Sequence, residues 1–168
     1  IAIKPDDDAA FYNKGNALSD LGRNEEAIAA FDHAIAIKPD YDDAFYNKGL
    51  ALSALGRYEE AIAAFDHAIA IKPDKHEAFY NKGNALYALG RYEEAIAAFD
   101  HAIAIKPDKH EAFYNKACCY GLQAQIDLAI ATLQQAITLD SKYREMAKTD
   151  ADFDRIRDDE RFQALIGS

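Results

Sequence analysis

The stretch AFYNKGNALSDLGRNEEAIAAFDHAIAIKPD at residues 10–40 decides the fold, because it returns almost unchanged at 44–74 and 78–108. The same step of 34 residues separates Pro5, Pro39, Pro73 and Pro107. It also separates Gly15, Gly49 and Gly83, and again Gly22, Gly56 and Gly90. A period of this size marks a repeat array, in which each unit buries its apolar face only against its neighbours. Within the stretch, Ala10, Phe11, Ala17, Leu18 and Leu21 share one face of a helix with 3.6 residues per turn. Ala27, Ile28, Phe31, Ala34 and Ile35 do the same in a second helix. Gly22 lies between them, where a helix end favours left-handed backbone angles. Glu25 and Glu26 suit the positive start of the second helix, and Pro39 stops it. Small Gly15 and Ala34 let the two backbones approach, while Phe11 and Phe31 fill the remaining space. The expected fold is all-α, built from stacked antiparallel helix pairs.

Working outward, the units run 8–41, 42–75, 76–109 and 110–143, with residues 1–7 before them and a capping segment at 144–168. Ile1 to Asp6 match Ile35 to Asp40, so the chain reads as starting at the end of a preceding second helix, in a fragment of a longer protein. Asp74 with Glu77, and Asp108 with Glu111, have capping-box spacing ahead of the next first helix. In the tail, Tyr143 to Lys148 extend a further first helix, and Asp158 is placed to cap a short helix from Asp159 to Ile166. Phe162, Leu165 and Ile166 form its apolar stripe, with Phe153 and Ile156 in the connection.

These residues resemble the tetratricopeptide repeat family. Gly15, Ala27, Phe31, Ala34 and Pro39 match its pattern strictly, and Phe11 and Leu18 conservatively, while Lys14 stands in a usually apolar column. The fourth unit keeps Phe113, Lys116, Tyr120, Ala129 and Ala136. It replaces the glycines with Ala117 and Ala124, the proline with Ser141 and the usual Phe with Leu133. The near-identity of the units is also similar to bacterial arrays, cyanobacterial ones especially. The resemblance implies a right-handed superhelical solenoid whose first helices line a concave groove, and a protein-interaction scaffold rather than an enzyme.

The composition agrees with that class. Half the residues are hydrophobic, which argues against disorder despite a net charge of -10. That charge and a pI near 4.9 disfavour nucleic acid and anionic membranes as partners. No apolar run approaches the roughly 20 residues of a membrane span, and no signal pattern opens the chain. Adjacent Cys118 and Cys119 are not a disulfide framework, so a soluble protein of the reducing cytoplasm is expected.

On the first helix, opposite the apolar stripe, Tyr12, Asn13, Asn16, Ser19 and Asp20 form one polar face. Down the units it gives columns of tyrosine and asparagine, from which the candidate peptide-binding residues are Tyr12, Asn13, Asn16, Tyr46, Asn47, Tyr80, Asn81, Asn84, Tyr87, Tyr114 and Asn115. An Asn amide is both donor and acceptor and can pair with a peptide backbone. Packed helices repeat at roughly 10 Å, and an extended peptide advances about 3.3 Å per residue, so one Asn meets about every third residue. Tyr adds rigid apolar area with a polar tip. Within the family, a comparable asparagine ladder lies in the groove of O-GlcNAc transferase; Tyr and Asn are also frequent at these columns as family background. The family's clamp for chaperone C-terminal carboxylates is a poor fit, because Tyr12, Glu77 and Asn81 stand where it needs Lys, Lys and Arg, although Asn16 and Asn47 match. Asp43, Glu77 and Glu111 at helix starts suggest a rim that prefers neutral or basic segments.

Other constellations read more plainly. Lys14, Lys48, Lys82 and Lys116 form a column that either meets neighbouring acids with its stems packed or binds anions. His33, His67 and His101 are spaced a layer apart, too far to share a metal whose ligands lie within about 2.1 Å. His76 and His110, beside Lys75 and Lys109, are expected to be solvated. Asp150, Asp152 and Asp154 start like a calcium loop, but Arg155 and Arg161 replace its Gly and terminal Glu. Cys118 falls in the groove column as packing or a redox-sensitive thiol, and Cys119 in the core. No metal or cofactor is expected. The partner is expected to be a protein or peptide, with self-assembly through the N-terminal end, or service as a substrate-positioning arm of a larger enzyme, as alternatives.

Overall fold

A computed structural model describes residues 7–167. The reading of Ile1 to Asp6 as the end of an earlier helix lies outside them. The chain divides into two compact units, Ile1–Leu89 and Gly90–Ser168.

In the first unit, α1 (Asp8–Asp20) packs on α2 (Asn24–Ile37), and α3 (Asp42–Ala54) on α4 (Tyr58–Ile71). Then α2 meets α3, and α4 meets α5 (His76–Ala88). Phe31 and Phe65 are fully buried at the centres of these pairs. A Cβ on Gly15 or Gly49 would lie 2.5 Å from the ring of Phe31 or Phe65, so both glycines are required by close packing. Burying each ring stabilises the pair by roughly 1.5–3 kcal/mol.

The helix ends follow from the glycine column. Gly22 has φ 70° and Gly56 φ 73°. Gly22 N–H donates to Ser19 O at 2.9 Å and Arg23 N–H to Leu18 O at 2.9 Å, the paired bonds that satisfy a helix's last carbonyls. Side-chain capping follows a different course from the sequence expectation. Asp7 caps α1 by accepting from Ala10 N–H at 2.8 Å. The Asp74–Glu77 and Asp108–Glu111 boxes do not form: the caps are Lys75 and Lys109, with no side-chain cap bond. The turn after each proline advances the helix start by one residue beyond the aspartate.

The second unit contains α6 (Tyr92–Ile105), α7 (His110–Leu122), α8 (Ile126–Leu139) and α9 (Lys142–Thr149). A 3₁₀ segment (Ala151–Ile156) and α10 (Glu160–Gly167) complete it. Ala124 holds the αL position that glycine occupies elsewhere, at φ 55°, with the same bonds: Ala124 N–H to Gly121 O and Gln125 N–H to Tyr120 O. The 3₁₀ segment lies against α7 and buries Phe153 and Ile156, while α10 buries Phe162 and Leu165. Asp159 rather than Asp158 caps α10, accepting from the Arg161 and Phe162 N–H groups at 2.9 and 3.3 Å. Asp158 lies one residue too far back to reach the donors at the start of the helix.

Among the described residues no helix is long and apolar enough to cross a membrane.

Candidate functional site

The first helices of the first unit, α1, α3 and α5, carry the tyrosine and asparagine columns. Tyr12, Asn16, Tyr46, Asn47, Tyr80, Asn81, Asn84 and Tyr87 are all half-buried, and Asn13 is exposed. Side-chain bonds knit neighbouring helices across this face. Asn47 Nδ2 donates to Tyr12 Oη at 3.1 Å and to Asn16 Oδ1 at 2.8 Å. Asn81 Nδ2 donates to Tyr46 Oη at 3.0 Å. Its second hydrogen turns back to Glu77 O at 3.0 Å, because the residue in the Asn16 column is now Leu50. These bonds correct one expectation: both amide donors of Asn47 and Asn81 are engaged within the protein. What each amide retains is its oxygen, an acceptor, while the tyrosine hydroxyl that accepts from it keeps its own hydrogen to donate. Tyr12 also packs on Tyr41, ring centroids 4.9 Å apart, a partner that the first-helix pattern does not reveal.

Two clefts open on this face. One, of about 360 Å³, is lined by Asn16, Ser19, Asp20, Asn24, Asn47, Leu50 and Ala51. The other, of about 620 Å³, follows the starts of α3 and α5 between Tyr12, Tyr46 and Glu77. The acids of that rim are largely engaged. Lys75 bonds Asp42 at 2.8 Å and also Asp43, and its ammonium lies 5.2 Å from the Tyr46 ring centre. Burial opposes the charge on Lys75, but the two aspartates outweigh it and hold the group above its ordinary range. Asp42 is likewise held low, its own burial overcome by Lys75. Glu77 sits 3.3 Å from His76 Nε2, and in the second unit Glu111 pairs with Lys109 at 3.1 Å. Solvation of His76 and His110 is therefore corrected: Lys75 is 8% exposed, His76 Nδ1 is buried, and His110 Nδ1 lies 2.8 Å from Tyr143 Oη. Lys75 is held against the start of the preceding helix, α3, and His110 against Tyr143 of the later α9.

In the second unit the same columns close. Tyr114, in the Tyr12 column, is 4% exposed and donates to Asp150 Oδ2 at 2.6 Å. Its ring packs on Tyr143 and Phe153. Tyr114 is thus a core residue and not an accessible binding group, which overturns its sequence assignment. Asp150 takes the place of an Asn one residue later than the repeat step, and the 3₁₀ segment after it covers the face. Asn115, its neighbour, is half-buried. Cys118 is 3% exposed and points its thiol at Asp150, 3.9 Å away. Burial, then the charges of Asp150 and Asp152, push this thiol far above its ordinary range; Cys119 is pushed up to about 12, again mainly by burial. Cys118, Asp150 and Asp152 offer ligand atoms within 4.8 Å of one another. Tyr114 and the Asp152 N–H already take up both Asp150 oxygens, so hydrogen bonding accounts for the arrangement.

The lysine column meets neighbouring acids. Lys48 pairs with Asp32, Lys82 with Asp66 and Lys116 with Asp100, at 2.6, 2.6 and 2.5 Å, each spanning 16 residues. His33 and His67 remain exposed, stacked near Phe11 and Phe45.

Solved structures with the same fold include MamA from Desulfovibrio magneticus RS-1, 23% identical with a TM-score of 0.79 over 99% of this chain and 96% of that one. YrrB, described as a TPR protein with an unusual peptide-binding site, is 20% identical with a TM-score of 0.79 over 95% and 83%. The first TPR of Spaghetti (RPAP3), bound to the HSP90 peptide SRMEEVD, is 22% identical with a TM-score of 0.69 over 74% and 98%. No curated protein matches the chain. The tetratricopeptide repeat pattern matches residues 4–42, 12–76, 46–110 and 80–144. Glycine turns, paired helices and this match together make the chain a member of the tetratricopeptide repeat family.

Proposed function

We propose that the chain is a non-enzymatic scaffold that binds an extended peptide or partner segment along the face of α1, α3 and α5. The observation that carries this reading is the pair of bonds from Asn47 to Tyr12 and from Asn81 to Tyr46. They fix the side chains so that each rung has an amide oxygen left to accept and a hydroxyl left to donate. One acceptor and one donor per rung complement the N–H and C=O of a peptide backbone, whatever its side chains. The peptide-binding site described for YrrB and the peptide complex of Spaghetti give the reading its precedent in the fold. Binding through backbone and Tyr contacts favours broad selectivity and modest affinity. The residues proposed to contact the segment are Tyr12, Asn13, Asn16, Tyr46, Asn47, Tyr80, Asn81, Asn84 and Tyr87. Replacing Asn47 and Asn81 together with Ala and titrating peptides selected on the wild-type chain tests it; undiminished binding would sink the proposal.

A second reading, self-association through α1, draws on exposed apolar surface there. Leu21 is 71% exposed against 38% for its counterpart Leu55, and Ala17 is exposed where Ala51 is buried. Sedimentation across a concentration range tests it, and a monomer throughout removes it.

A further inference from the structure

Units 8–41 and 42–75 differ at five positions, where Ala9, Asn16, Asp20, Asn24 and Tyr41 give way to Asp43, Leu50, Ala54, Tyr58 and Lys75. Three of the five first-unit residues, Asn16, Asp20 and Asn24, line the cleft of about 360 Å³ beside α1, α2 and α3. Leu50, the second-unit counterpart of Asn16, forms part of its wall. The framework is thus copied while this cleft is individually furnished.

The furnishing has a definite chemistry. Asp20 makes no hydrogen bond or ion pair within the described residues, and it ends α1, where the helix dipole is already negative. An acid there works against the fold, and the matching positions in the next two units are neutral Ala54 and Ala88. Beside it, Asn47 has both amide hydrogens engaged and presents its oxygen. Asn24 and the Ser19 hydroxyl add further oxygens, and Leu50, 37% exposed, with Ala51 supplies an apolar wall. The Asn16 oxygen is taken by Asn47, but a carboxylate with the oxygens of Asn47, Asn24 and Ser19 near it, beside an aliphatic surface, complements a cation on a hydrocarbon stem.

We infer that this cleft is the specificity pocket of the peptide-binding face and takes one lysine or arginine side chain of the bound segment. The stem lies on Leu50 and Ala51, and the charged head is held by Asp20 with the oxygens of Asn47 and Asn24. This rests on the peptide-binding reading above and adds a residue preference to it.

The test is selection of random 12-residue peptides, displayed on phage, against the full chain, Asp20→Asn and Asn47→Ala. Wild type is expected to enrich Lys or Arg at one fixed position, and Asp20→Asn to recover binders without that enrichment. For a recovered peptide, replacing the basic residue with citrulline or norleucine should weaken wild-type binding about tenfold, the scale of one charge-assisted contact. Against Asp20→Asn the same replacement should make no difference. Melting of Asp20→Asn should occur at or above the wild-type temperature, separating a lost contact from a damaged fold. Binders with no fixed basic position, or a preference that survives in Asp20→Asn, overturn the inference. If Asn47→Ala still loses binding in either case, the peptide-binding reading stands without it; if wild type yields no binders, both fall.

Discussion

Tyr12 and Tyr114 occupy the same column of the repeat, yet one edges an open cleft and the other lies in a core. At Tyr12 the partner is Asn47, which also donates to Asn16, and the tyrosine oxygen accepts. At Tyr114 it is Asp150, toward which Cys118 also points, and the tyrosine donates. Reversing the direction of one hydrogen bond is only part of the difference. Gly121 stands where the earlier units have Ser19, Ser53 and Tyr87, and a Cβ there would lie 2.6 Å from the Asp152 carbonyl oxygen. The glycine lets the 3₁₀ segment descend onto α7, and Phe153 then excludes water from the rung. An open face and a covered one are therefore built from one template by changing the residue beneath the covering backbone.

The covered rung depends most on Phe153, which is fully buried. Phe153→Ala should destabilise the second unit by about 3–5 kcal/mol, seen as lost hydrogen-exchange protection in α7 and α10. Protection lost equally throughout α1 to α4 would show that the seal is not a local device. Asp150→Asn should cost about 1.5–3 kcal/mol, since it weakens a charge-assisted bond in a buried setting. Burial first, and then the bond to Asp150, raise the Tyr114 hydroxyl above its ordinary range. Ultraviolet titration of Asp150→Asn should accordingly show one tyrosine ionising at lower pH than in wild type. Gly121→Ser, which restores the residue of the open units, should cost about 1–3 kcal/mol through overpacking. It should also make Cys118 reactive toward thiol reagents that do not touch it in the native wild type.

A pH effect sharpens the same contrast. The Cys118 thiol is raised above its unfolded value of 9.0, so its contribution is fully present below that pH. It is lost as pH rises, because the unfolded chain ionises first. Alkaline unfolding of the second unit should begin later in Cys118→Ala, once each protein is referred to its own stability at neutral pH. The smallest expected effect is favourable. Ala124→Gly relieves a left-handed alanine and should stabilise by about 1 kcal/mol, whereas Gly22→Ala should destabilise by about the same amount; urea unfolding measures both.

Much of this was legible in the residues. The periodic prolines and glycines located the helix ends, and Phe31 with Gly15 indicated the close pairing. Asp74 misled because capping-box spacing says nothing of how the proline turn displaces the helix start. Tyr114 misled for a related reason. A column predicts a side chain's direction but not its cover, and that cover comes from a segment outside the repeat, one residue out of step. Neither the engaged amide hydrogens of Asn47 nor the stacking of Tyr41 on Tyr12 can be read from a first-helix pattern, since both depend on the neighbouring layer. Asp20 was visible as part of a polar face, and only the cleft distinguishes it from an ordinary solvated acid.

The lysine–aspartate pairs have a consequence for how such a gene changes. Lys48 with Asp32 and Lys82 with Asp66 are chemically the same fastening. If unequal crossing-over removed the codons for residues 42–75, Lys82 would face Asp32 as Lys48 does now, and Asn81 would meet Tyr12. These two junctions share their fastening, so loss of that one repeat is expected to leave a chain that still folds.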